Sequence, residues 1–131
     1  MKKVILIFVC IFMVICANAQ TSSSNTKNTV ASSDSNVNFR LYQTNNRWTF
    51  LKLDTRTGEL THVQYSTDGK AMQYKLSDIV LAEGEDAKPG RFFLYPTENT
   101  FNYILLDQID GRVWQVQWNI DEEHRGIWRI W

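Results

Sequence analysis

Residues 39–66 read FRLYQTNNRWTFLKLDTRTGELTHVQYS, and residues 92–119 read FFLYPTENTFNYILLDQIDGRVWQVQWN. Laid one on the other with an offset of 53 and no gap, they agree at ten of twenty-eight positions. The identical pairs include Phe39/Phe92, Leu41/Leu94, Tyr42/Tyr95, Asp54/Asp107, Gly58/Gly111, Val63/Val116 and Gln64/Gln117. Trp48/Phe101, Phe50/Tyr103, Leu51/Ile104 and Tyr65/Trp118 keep their character. An internal duplication constrains architecture before any other signal, because each copy must be one supersecondary unit used twice.

The unit reads as strands. Phe39 to Thr44 is short and rich in β-formers, and Asn45-Asn46 follows as a turn signal. Arg47 to Asp54 alternates, with Trp48 and Phe50 on one side and Leu51 and Leu53 on the other. Both sides are apolar, which predicts a central strand covered on both faces. Asp54-Thr-Arg-Thr-Gly58 is a hairpin turn, repeated as Asp107-Gln-Ile-Asp-Gly111. Asp accepts hydrogen bonds from the turn backbone, and Gly supplies the positive φ that closes it. The third strand is read with Val63 and Tyr65 inward and His62 and Gln64 outward. Its copy places Trp114, Val116 and Trp118 inward and Gln115 and Gln117 outward. Thr67-Asp68-Gly69 turns the chain into a fourth strand over Lys70 to Leu76, and His124 to Trp131 is the eighth. Ser77 to Gly90 is a long acidic connection, with room for one short helical turn at Ser77 to Ala82.

The expected fold is all-β: two tandem four-stranded antiparallel meander repeats (39–76 and 92–131) in a duplicated domain spanning 38–131. They form a small barrel or sandwich. The alternative is two propeller-like blades completed by self-association. Fifteen aromatic side chains between 38 and 131 supply the buried area that such a small domain needs.

The N-terminal segment is read as a signal peptide over 1–19. Lys2 and Lys3 precede an apolar run from Val4 to Ile15, and Ala17-Asn18-Ala19 places small residues before a cleavage point. Cys16 follows Val14-Ile15, whereas a lipobox cysteine usually follows Gly, Ala or Ser, so cleavage after Ala19 is the expectation. The protein is then exported, periplasmic or extracellular, without a membrane span after cleavage. Residues 20–37, rich in Ser, Thr and Asn, read as a flexible tether.

Cleavage removes Cys10 and Cys16, so the mature chain has neither disulfide nor thiolate chemistry. Twelve Lys and Arg then stand against fourteen Asp and Glu, a balance that points away from nucleic acid. His62 and His124 lack ligand-spaced companions, and Glu83-Gly-Glu85-Asp86 lacks the spacing of a calcium loop. Neither a G-x-S-x-G elbow nor an H-E-x-x-H pair is present. The expectation is a non-catalytic module with no cofactor and no metal.

Binding residues are sought among aromatic and duplicated polar positions. Trp128 and Trp131, near the chain end, are candidate platforms for a sugar face, while Trp48, Trp114 and Trp118 are read as core. Gln64 and Gln117 recur at equivalent places, either as two ligand-binding amides or as a cross-strand pair on a pseudo-twofold axis. The expected partner is a glycan or another envelope protein. The alternative function is a structural or protein–protein interaction role, of the inhibitor or immunity kind.

Leu53-Asp54-Thr55-Arg56-Thr57-Gly58, followed by an aromatic strand, resembles a loose group of small exported bacterial proteins with hairpin repeats. Leu106-Asp107-Gln108-Ile109-Asp110-Gly111 is the more degenerate copy. No function is attached to that group, so the resemblance implies no active residues.

Overall fold

The structure, a computed structural model, describes residues 36–131. The signal peptide and most of the tether lie outside the described residues. Eight strands form two sheets: β1 (Phe39–Gln43), β2 (Thr49–Asp54), β3 (Leu60–Gln64) and β4 (Met72–Lys75), then β5 (Phe92–Pro96), β6 (Asn102–Asp107), β7 (Val113–Gln117) and β8 (Gly126–Ile130). Each sheet is an antiparallel meander in chain order, and the two stack as a sandwich without closing into a barrel. Short 3₁₀ turns at Gly84–Asp86 and Glu122–His124 are the only helical segments among the described residues, so no helix there is long enough to cross a membrane.

The turns form as their residues dictate. Arg56 N–H donates to Asp54 Oδ1 at 2.9 Å, and Ile109 N–H donates to Asp107 Oδ1 at 3.0 Å. Gly58 and Gly111 close these turns at φ values of 77° and 68°, a region that penalises any residue with a Cβ. The fourth and eighth strands are shorter than the sequence suggests. Ser77 to Ala82 carries no helical turn; the 3₁₀ turn follows at Gly84–Asp86.

The two repeats pair in the same register. Phe39 faces Asp54 as Phe92 faces Asp107, and Thr49 faces Gln64 as Asn102 faces Gln117. Equivalent residues therefore occupy equivalent faces of their sheets. Yet the buried positions are in opposite phase. In β2 the buried residues are Thr49, Leu51 and Leu53; in β6 they are Tyr103, Leu105 and Asp107, the equivalents of Phe50, Lys52 and Asp54. Call the face carrying Phe50 or Tyr103 the front, and the face carrying Leu51 or Ile104 the back. The core is then the back of repeat 1 against the front of repeat 2.

That arrangement corrects two expectations. In β3 it is His62 that is buried and Gln64 that shares its inner face, while Val63 is half-buried and Tyr65 stays outside against Trp48, 5.0 Å between rings. The β7 assignment holds, with Trp114, Val116 and Trp118 buried. Likewise β2 is covered on its back face only, and its apolar front remains half-exposed. The physical reason is the head-to-tail stacking: a strand apolar on both faces satisfies whichever neighbour it meets, so periodicity alone does not choose between them.

Hydrogen bonds lock the sheets together. Phe92 N–H donates to the Thr55 carbonyl at 2.8 Å, and the buried Leu94 N–H donates to the Tyr42 hydroxyl at 3.3 Å. Tyr103 donates its hydroxyl to the Gln43 carbonyl at 3.1 Å, so burial that pushes its pKa up to about 12 is matched by a satisfied proton.

Candidate functional site

A cleft of about 580 Å³ runs between the outer edges of the sandwich, where β4 faces β8. Tyr74, Ser77 and Asp78 line one side, and Glu122, Arg125 and Trp128 the other. Trp128 projects from β8 with half of its surface exposed. The geometry beneath is fixed from the core upward. His62 is fully buried on β3, its ring stacked on Tyr74 at 4.5 Å between centroids. The Tyr74 hydroxyl lies 2.9 Å from His62 Nδ1 and donates to the Asn119 carbonyl at 3.0 Å. A carbonyl only accepts, so the single phenolic proton goes there and Nδ1 carries the imidazole proton toward the tyrosine oxygen. Nε2 is left buried without a partner. Burial lowers the His62 pKa, the neighbouring Gln64 side chain opposing and Arg125 adding to the effect. Burial likewise raises that of Tyr74, against the pull of Arg125.

Arg125 stacks its guanidinium on the Tyr74 ring at 4.2 Å and reaches the Ile120 carbonyl at 3.1 Å. The cation is thus held in place rather than left to sweep through solvent. The floor of the cleft includes Tyr74, with His62 buried behind it, its wall is a fixed arginine, and its rim an indole with carboxylates from Asp78 and Glu122. Such a surface offers a stacking platform and hydrogen-bonding groups of both kinds.

The four residues proposed from sequence are not gathered in one place. Trp128 lines the β4–β8 cleft. Gln64 lines a separate hollow of about 350 Å³ with Trp48, Tyr65 and Met72. Gln117 donates its side-chain amide to the His124 carbonyl at 3.0 Å, which ties down the 3₁₀ turn before β8. Trp131 is fully exposed at the chain end, with Arg129 over its ring. The two glutamines are not a pair on a twofold axis: Gln64 faces Thr49 and Met72, Gln117 faces Asn102 and Gly126, and both lie on the back of their sheets, which is turned inward in repeat 1 and outward in repeat 2. Front-to-back stacking has no twofold axis to place them on.

Sequence reasoning missed two features. The Tyr74–Arg125–Glu122 wall joins segments fifty residues apart in the chain, and only the β4–β8 juxtaposition reveals it. The second is Asp107, read as a turn former alone. Its carboxylate is fully buried and gripped by Arg91 (2.9 and 3.1 Å) and Arg112 (2.7 and 3.1 Å). Burial raises its pKa, but the two guanidiniums and the turn N–H groups outweigh this and hold it at about 2. Among the described residues no group of three or more His, Cys, Asp or Glu side chains is arranged to hold a metal ion. In comparisons with known proteins, no family model, curated protein or solved structure matches this chain.

Proposed function

We propose that this protein is an exported, non-catalytic binding module of the cell envelope, and that its ligand is a glycan seated in the β4–β8 cleft. The observation that carries the reading is Trp128: a half-exposed indole in the β4–β8 cleft, flanked by Asp78, Glu122 and a fixed Arg125. A sugar presents an apolar C–H face and a ring of hydroxyls. The indole accepts the first, and carboxylates and guanidinium accept and donate to the second. Because Tyr74 already holds Arg125, little side-chain freedom is lost on binding.

The test is thermal denaturation against soluble cell-wall and plant polysaccharides. A glycan that binds the native state stabilises it by about 2.7 kcal/mol at a hundredfold excess over Kd. The expected result is a saturable rise with one glycan class that Trp128→Ala abolishes and Trp131→Ala leaves intact. A rise indifferent to Trp128→Ala, or no rise with any glycan, would refute the cleft as the site.

A second reading, a structural or protein-interaction role, is favoured by a different observation. Phe39, Leu41 and Tyr65 on the front of repeat 1, and Tyr95 and Ile130 on the back of repeat 2, are large apolar residues left exposed on sheet faces. Contiguous apolar surface on a strand face marks a docking surface.

A further inference from the structure

We infer that those two exposed faces are made for each other, and that copies of this chain associate head to tail into a closed ring. The argument is independent of the glycan reading and rests on the phase of the duplication.

Inside one chain, the back of repeat 1 packs on the front of repeat 2. The front of repeat 1 and the back of repeat 2 are the same two surfaces, in repeat-equivalent form, left without a neighbour. Leu41 is 53% exposed, while its equivalent Leu94 is 0% exposed in the core. Tyr95 is 44% exposed, while its equivalent Tyr42 is 2% exposed. A second copy presenting its repeat 1 front to the repeat 2 back of the first would recreate the internal interface.

The polar groups agree. Internally, Phe92 N–H donates to the Thr55 carbonyl and Leu94 N–H to the Tyr42 hydroxyl. The equivalents between copies are Phe39 N–H onto the Gln108 carbonyl and Leu41 N–H onto the Tyr95 hydroxyl. At the internal seam Asn45 donates to Thr100 Oγ1 at 3.3 Å. Their equivalents are Glu98 and Arg47, both exposed, so the seam between copies replaces a neutral hydrogen bond with a pair of opposite charges.

A contact that joins unlike faces is heterologous, and it either closes or runs on without limit. Sheets stacked front to back around an axis close as rings of about four to eight, which is two to four copies of this two-sheet chain. Trp128 shares the back face of repeat 2 with Ile130, so the neighbouring copy in such a ring would also cover the Trp128 side of the β4–β8 cleft.

The experiment uses native mass spectrometry and sedimentation of the purified protein with two variants. Leu41→Glu spoils the front of repeat 1 only, and Tyr95→Glu the back of repeat 2 only. Both positions are exposed in the single chain, so each variant should keep its cooperative melting transition, measured alongside. The expected result is a discrete oligomer of wild type and monomers of each variant. Mixing the two variants should give a 1:1 pair, because one intact front and one intact back remain. A monomeric wild type would overturn the proposal and hand both faces to a foreign protein. A mixture that stays monomeric, or disruption by only one of the variants, would show like-with-like association and overturn it too. Polymers of unlimited length would overturn ring closure.

Discussion

Replacing Asp107 by Asn separates two equivalent positions of the duplication that look alike in sequence. Asn keeps the shape and the Oδ1 acceptor for Ile109 N–H, so the turn is preserved. What it removes is the charge that Arg91 and Arg112 share. Arg91 is 5% exposed and Asp107 is 0% exposed, so the variant leaves a buried cation. Removing one partner of a buried pair costs about 3–5 kcal/mol. Arg91 keeps Asp110 and the Asp86 carbonyl, which places the expected loss at the lower end, about 3 kcal/mol. For a domain of this size that is a fall in Tm of roughly 10–20 °C. Asp54→Asn is the internal control. Its partner Arg56 is one-third exposed, and a pair screened by solvent is worth about 0.5 kcal/mol. Urea and thermal denaturation of the two variants, followed by circular dichroism, measure the difference. The acid limb adds a second readout. Because the Asp107 pKa is depressed in the folded state to about 2, its contribution is complete above the unfolded value of 3.8 and is lost as pH falls from there toward 2. Equal losses for Asp107→Asn and Asp54→Asn would refute the buried-pair argument.

Three further outcomes follow from the same geometry. Gly58→Ala should destabilise more than Gly111→Ala: both strain a positive φ, at about 1 kcal/mol or more, but only the first drives a Cβ into Leu81, and equal losses by urea titration would contradict this. Burial depresses the His62 pKa, so the unfolded chain takes up a proton that the folded ring resists; stability should fall as pH drops through the unfolded value of 6.5, and His62→Leu should flatten the Tm profile between pH 7.5 and about 5, a persistent slope sinking the assignment. Deleting Trp131 alone should be silent, whereas deleting residues 127–131 removes β8 with the buried Ile127 and should abolish the cooperative transition.

The duplication, the eight strands and both Asp–Gly turns were legible because each is local: spacing, alternation and turn chemistry act within a few residues. Which face of repeat 1 turns inward was not. Phe50 and Leu51 are equally apolar, and Val63 and Tyr65 look a better inner face than His62 and Gln64. The choice falls to the sheet that packs against them, and His62 becomes tolerable there only because Tyr74, twelve residues on, gives its ring a partner. Asp107 was half-legible: its turn bonds are local, but Arg91 lies sixteen residues upstream and meets it only once β5 and β6 are in register. Trp128 was found as an aromatic near the chain end. The residues that make its surroundings a cleft come from the β4 edge, which nothing near Trp128 in the chain announces.

Front-to-back stacking underlies the core, the position of the cleft and the matching open faces. Methyl-labelled NMR tests it directly. Nuclear Overhauser contacts should join Leu51 and Leu53 to Leu94 and Leu105, all four fully buried in one core. In Tyr95→Glu, where association between copies is removed, Leu41 should show no contact to that set. Contacts from Leu41 to Leu94 within that variant, with Leu51 and Leu53 silent, would mean that like faces pack, and the account would be wrong.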